Sequence, residues 1–77
     1  MTSRPIYKIA EDIYADWKNP FYGAVPYLSV MARLKTLDDY YRNDSAKEII
    51  TYFLSNASTW RGPVARQIKK ELKDLTK

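Results

Sequence analysis

Carboxylates are the side chains of this sequence that could do acid–base or metal chemistry, but they lack the partners that such chemistry needs. Asp12 and Asp16 are spaced to share one helix face, which is the polar face, where carboxylates are solvated. Asp38, Asp39 and Asp44 could offer oxygen ligands to Mg²⁺, although their spacing fits no known motif. The chain contains no histidine and no cysteine, and its two glycines cannot form a phosphate-binding loop. We therefore expect no enzymatic activity, no bound metal and no cofactor.

Basic residues near the C-terminus form the clearest pattern. Residues 45–77 contain seven Lys/Arg and three Asp/Glu, so they carry the whole formal net charge of +4. At ~100° per residue, one stripe of the last predicted helix contains Arg66, Lys70, Lys73 and Lys77, with Lys69 beside it. Such a stripe suits phosphates or an acidic protein surface. It is also typical of a solvated helix face whose lysines offset the helix dipole. We favour that interpretation, and binding by the stripe remains the open alternative.

Aromatic residues provide a second candidate surface. Trp60 and Arg61 lie in the turn before the last predicted helix, and an exposed pair of this kind is typical of binding hot spots. In the alternative interpretation, which we favour, Trp60 caps the core and Arg61 packs over an aromatic ring. Tyr40 and Tyr41 lie in a polar segment, where exposed rings would contact a protein or stack on bases. The candidate partner-binding residues are therefore Trp60, Arg61, Arg66, Lys69, Lys70, Lys73, Tyr40 and Tyr41.

Prolines and polar caps divide the chain into four predicted helices. These run from Ile6 to about Lys18, from residues 24–26 to about 36–37, from Ala46 to a point between Ala57 and Trp60, and from Pro63 onward. The third has the clearest start, because Ser45 and Glu48 have the spacing of a capping box. Residues 38–43 are predicted to form a polar loop that includes at most one helical turn. No segment shows the alternation of a half-buried strand.

The length and composition favour one small domain. Seventy-seven residues suffice for a single domain, here residues 1–77, and the fold class that we predict is all-α, a compact bundle of about four short helices. Seven tyrosines, two tryptophans and two phenylalanines supply the packing that disulfides cannot. The N-terminus leads directly into an amphipathic pattern, and no apolar run approaches the ~20 residues that span a bilayer. We expect a cytoplasmic protein that makes no contact with a membrane.

Several segments carry a resemblance to known sequences. They read IAEDI at 9–13, GAVPYL at 23–28 and YFLSNASTWRG at 52–62, followed by Ala65-Arg66 and Ile68-Lys69. Through them the chain resembles small uncharacterised proteins of phages and conjugative elements of Gram-positive bacteria. The resemblance covers nearly the whole chain, and its most distinctive part is the string from Phe53 to Gly62. It implies a bacterial host and a mobile-element setting, but no mechanism.

Three functional hypotheses follow from these observations. In the setting that the resemblance implies, the leading one is a non-enzymatic accessory or inhibitor that acts by stoichiometric contact with a host or defence protein, including an anti-defence role. The alternative is a nucleic-acid-binding regulatory protein that uses the basic C-terminal helix. The third is a structural homo-oligomer that buries an aromatic patch against its own copy.

Overall fold

A computed structural model describes residues 4–76, in which four helices surround one core and a short hairpin precedes the third helix. The elements are α1 (Ile6–Asp16), α2 (Val25–Met31), β1 (Tyr40–Tyr41), β2 (Asp44–Ser45), α3 (Ala46–Ser55) and α4 (Pro63–Leu75). The fold is mostly helical and the four predicted helices are confirmed, but the hairpin means that it is not purely all-α. No helix in this part of the chain has the length and hydropathy that crossing a bilayer requires.

The start of α3 is fixed by the predicted capping box. The Ser45 hydroxyl accepts a hydrogen bond from the Glu48 backbone N–H at 3.2 Å, and the Glu48 carboxylate accepts one from the Ser45 N–H at 3.0 Å. Each side chain therefore satisfies a backbone group that the first turn of a helix leaves unpaired. The capping box also joins the end of β2 directly to α3.

The segment between α2 and α3 differs from the prediction of a polar loop. Tyr40 pairs with Ser45 and Tyr41 with Asp44 in an antiparallel hairpin, which leaves two residues for the turn. Arg42 takes the first of these positions with a φ of 58°, in the left-handed region that glycine or asparagine normally occupies. The turn therefore lacks the glycine from which a hairpin is usually predicted.

Three helices end earlier than predicted. α1 ends at Asp16 instead of about Lys18, because Trp17 leaves the helix in an extended conformation. α2 ends at Met31 instead of residues 36–37, since the N–H groups of Arg33 and Leu34 bond three positions back and form tight turns. Leu34 is still buried within these turns. Because it continues the apolar spacing of α2, the sequence predicts a longer helix. α3 ends at Ser55 instead of between Ala57 and Trp60, and its C-cap is Asn56.

The packing of α1 against α4 sets the position of the C-terminal helix. The indole N–H of Trp60 donates to the Asp16 carboxylate at 2.8 Å, which ties the end of α1 to the turn before α4. Arg4, just before α1, binds the Glu71 carboxylate through Nε at 3.0 Å and Nη2 at 2.8 Å. These contacts make α1 and α4 antiparallel. The core between the helices contains Ile6, Ile9, Ala10, Ile13, Trp17, Ala24, Leu28, Met31, Leu34, Ala46, Ile49, Ile50, Phe53, Ala57, Trp60, Ala65, Ile68 and Leu72.

Candidate basic interface

The two faces of α4 have opposite character, as the sequence predicts. Its inner side buries Ala65, Ile68 and Leu72, which are spaced so that they follow one line along a helix. The opposite side exposes Arg66, Lys70 and Lys73, and Lys69 lies half-buried at the edge. The fourth member of the predicted stripe, Lys77, lies outside the described residues. Burial of the apolar line therefore directs the basic side chains away from the core.

The turn before α4 adds another basic residue to this side. Gly62 has a φ of 114°, a conformation that L side chains rarely adopt, and it reverses the chain between Trp60 and the helix. Pro63 then begins α4 at a position where its missing N–H costs no hydrogen bond. The exposed Arg61 consequently precedes the exposed side of α4. We call this set the basic face: Arg61, Arg66, Lys69, Lys70 and Lys73.

No side chain of the basic face takes part in an ion pair within residues 4–76. The acidic residue on the flank of α4, Glu71, is held by Arg4, which also pairs with Asp12. This contact raises the pKa of Arg4, mainly through the hydrogen bonds to Glu71 and Asp12. Asp74 lies on the exposed side of α4 and offsets part of the positive charge. The five cations therefore retain a net positive field toward solvent.

The Lys69 side chain lies between α4 and the turn that precedes it. Its pKa is lowered, first by burial and then by the positive charges of Lys73 and Arg61. Its ammonium group donates to the Trp60 carbonyl oxygen at 2.6 Å and lies 5.9 Å from the centroid of the Trp60 ring. Lys69 therefore links the helix to the preceding turn, while its positive neighbours raise the local potential.

Trp60 supports the basic face from below and forms no part of its surface. The side chain is 2% exposed, and it stacks on Trp17 with a centroid distance of 5.6 Å and an interplanar angle of 10°. An edge contact with Phe53 at 6.4 Å completes the cluster. The ring is thus a core residue, so its inclusion among the partner-contacting side chains must be corrected. Its exposed neighbour Arg61 remains available.

The two tyrosines of the predicted site lie on a different element. Tyr40 is 69% exposed on the hairpin, and Tyr41 is partly buried against the core with the Arg42 guanidinium 5.6 Å from its ring centroid. The hairpin packs against α3, whereas α4 packs against α1. The candidate residues of the sequence therefore divide into two groups, the basic face and the hairpin tyrosines.

Several aspartates have hydrogen-bond or ion-pair partners within the fold. Asp39 accepts hydrogen bonds from the N–H groups of Lys35 and Thr36 at 2.8 and 3.1 Å, which lower its pKa. Asp16 receives the indole N–H, and Asp12 pairs with Arg4. Within residues 4–76 no cluster of acidic side chains could hold a metal ion. The sequence predicts Asp16 to be a solvated carboxylate and gives Arg4 no role, because nothing local marks partners that lie 44 and 67 residues away.

Comparison of the chain with protein-family models, with curated proteins and with solved structures finds no match. The resemblance to proteins of phages and conjugative elements therefore stays a prediction.

Proposed function

We propose that this protein is a non-enzymatic binding protein whose basic face binds an anionic macromolecule by stoichiometric contact. The observation that carries the proposal is the set of five cations on α4 and its preceding turn, none of which is neutralised by an ion pair within residues 4–76. Clustered like charges repel one another in the free protein, and an anionic partner relieves this repulsion.

The biological setting belongs to the same proposal. A phage or conjugative element of a Gram-positive bacterium is the carrier that the resemblance implies, and a bacterial cytoplasm is then the compartment. In that setting the partner is an acidic host or defence protein, or nucleic acid. The hairpin tyrosines are left out of the proposed surface, because they lie on another element and Tyr41 is partly buried.

Chromatography on immobilised heparin, a sulfated polyanion, tests the proposal with two variants of equal charge. Lys70→Glu/Lys73→Glu reverses two cations of the basic face, and Lys18→Glu/Lys47→Glu reverses two exposed lysines elsewhere. Both changes lower the formal net charge from +4 to zero. We expect the first variant to elute at much lower salt than the second, because the arrangement of the cations matters and not their number.

Two controls make the chromatography decisive. Far-UV circular dichroism must show that both variants keep the helical content of the wild type, since exposed lysines make no core contacts. Elution of the two variants at the same salt concentration would contradict the proposal, because net charge alone would then explain retention.

A further inference from the structure

We infer that the anionic partner is nucleic acid, and that the basic face binds the phosphate backbone of a duplex without reading its bases. This inference rests on the proposed function and specifies its partner. The reasons are the chemistry of the side chains, their spacing along α4 and the way in which nearby carboxylates are held.

The side chains of the basic face suit a phosphate backbone better than a protein surface. Cores of protein–protein interfaces are enriched in exposed aromatic residues and depleted of lysine. Here three of the five residues are lysines, Lys69, Lys70 and Lys73, and the aromatic ring that Lys69 covers, Trp60, is buried. Interfaces with nucleic acid are wetter and much more positively charged. The composition therefore matches a polyphosphate.

The length of the basic face suits contact with several phosphates of a duplex. From Arg66 to Lys73 the helix advances about 10 Å, at ~1.5 Å per residue. A duplex carries one phosphate for every ~1.7 Å of its axis when both strands are counted, so several phosphates lie within reach of this length, and Arg66, Lys70 and Lys73 can each neutralise one of them. Arg61, in the turn before the helix, is placed to reach one more, and its guanidinium can bind phosphate oxygens in a bidentate manner. The expected number of neutralised phosphates is thus roughly three to four.

Lys69 is not counted among the phosphate ligands. Its ammonium group already donates to the Trp60 carbonyl oxygen at 2.6 Å and is half-buried over the indole ring. Its role is to fix the turn that carries Arg61 relative to the helix that carries Arg66. The contact residues are therefore Arg61, Arg66, Lys70 and Lys73.

Arg4 neutralises an acidic side chain, Glu71, on the flank of the binding surface. Its guanidinium holds Glu71 in two hydrogen bonds and also pairs with Asp12. Without this contact, the Glu71 carboxylate on the flank of α4 would be uncompensated and would weaken the attraction of a phosphate backbone. Few side chains on the exposed side of α4 suit base edges, apart from Arg66 and Gln67. Binding to the backbone is therefore the mode that this face favours.

Fluorescence anisotropy with a labelled 20-bp duplex of mixed sequence tests the inference through its dependence on salt. Neutralising three to four phosphates predicts a slope of log K against log salt of roughly −2.7 to −3.6, which is a loss of affinity of about 40- to 150-fold between 50 and 200 mM salt. In Lys70→Gln/Lys73→Gln two contacts are lost, so the slope should become shallower by about 1.8. The matched control Lys18→Gln/Lys47→Gln should keep the wild-type slope.

A second titration, with poly-L-glutamate at the same ionic strengths, separates the inference from the proposed function. Duplex binding with the expected slopes, together with weaker binding of poly-L-glutamate, supports nucleic acid as the partner. Binding of poly-L-glutamate at least as tight as that of the duplex, and lost in Lys70→Gln/Lys73→Gln, would overturn nucleic acid but keep the basic face as a binding surface. Absence of binding to either polyanion at 50 mM salt would overturn both. Duplex binding that Lys70→Gln/Lys73→Gln leaves unchanged would also overturn the inference.

Discussion

Replacement of Trp60 should lower the free energy of unfolding, and it should not remove a contact with a partner. The ring is 2% exposed, stacks on Trp17 at 5.6 Å and meets the edge of Phe53 at 6.4 Å. Its indole N–H donates to Asp16 at 2.8 Å. The change Trp60→Ala removes all of these interactions together and leaves a cavity between α1, α3 and α4.

The magnitude follows from the burial of the ring. Truncation of a buried tryptophan to alanine costs about 3–5 kcal/mol, while a domain of 77 residues has a free energy of unfolding of only roughly 4–12 kcal/mol. Trp60→Phe keeps a ring against Trp17 but loses the N–H donor and part of the packing, so we expect a cost of about 1–2 kcal/mol. At roughly 4–8 °C per kcal/mol, this lowers the Tm by about 4–16 °C.

Urea denaturation followed by far-UV circular dichroism measures these costs. Asp16→Ala, alone and combined with Trp60→Phe, completes a double-mutant cycle in which we expect a coupling energy of about 1 kcal/mol. A Trp60→Ala variant whose free energy of unfolding lies within about 1 kcal/mol of the wild type would refute the reasoning, because a buried, stacked ring cannot be removed at so low a cost.

Three further predictions concern local structure. Ser45→Ala should lower the free energy of unfolding by about 1 kcal/mol through loss of the capping box, and Ser45→Asp, which keeps a cap, should not. Gly62→Ala should cost about 1–3 kcal/mol in the same urea assay, although no atom lies within 4 Å of the new Cβ; an unchanged stability would contradict the positive φ. The N–H groups of Lys35 and Thr36 lower the pKa of Asp39, so its stabilising effect is present above the ordinary carboxyl pKa of ~3.9 and is lost as the pH falls through its lower folded-state pKa. Asp39→Asn should therefore flatten the acid limb of the stability profile, and an unaltered limb would count against this role.

Features that depend on neighbouring residues could be predicted from the sequence. The capping box of α3 joins positions three apart, and the apolar line of α4 repeats every three or four residues. Both signals are local, so no knowledge of the rest of the fold was needed. The exposed position of Arg66, Lys70 and Lys73 follows from the same periodicity, because the side of the helix opposite its buried line faces solvent.

The hairpin could not be predicted, because its signals are weak. Each strand has only two residues, too few for an alternating pattern. The left-handed turn position is taken by Arg42 in place of glycine or asparagine, so the usual hairpin dipeptide is missing. The strands are stabilised by the packing of Tyr41 against the core, which is a tertiary contact that local propensity does not report.

The contacts that hold the basic face in place could not be predicted from the sequence either. Trp60 could be interpreted as an exposed hot spot or as a core residue, and only its stacking on Trp17 and its bond to Asp16 decide between them. Likewise, Arg4 reaches Glu71 across 67 residues. Such pairings arise when α1 packs antiparallel to α4, and a single sequence does not contain that information.

The most direct test of the central claim, that the basic face is the binding surface, is a ¹H–¹⁵N NMR titration of the intact protein with the 20-bp duplex. We predict that the largest chemical-shift changes occur at the amides of Arg61, Arg66, Lys70 and Lys73, while those of the hairpin around Tyr40 stay near their free positions. Changes centred on the hairpin, or none along α4 at low salt, would contradict the claim.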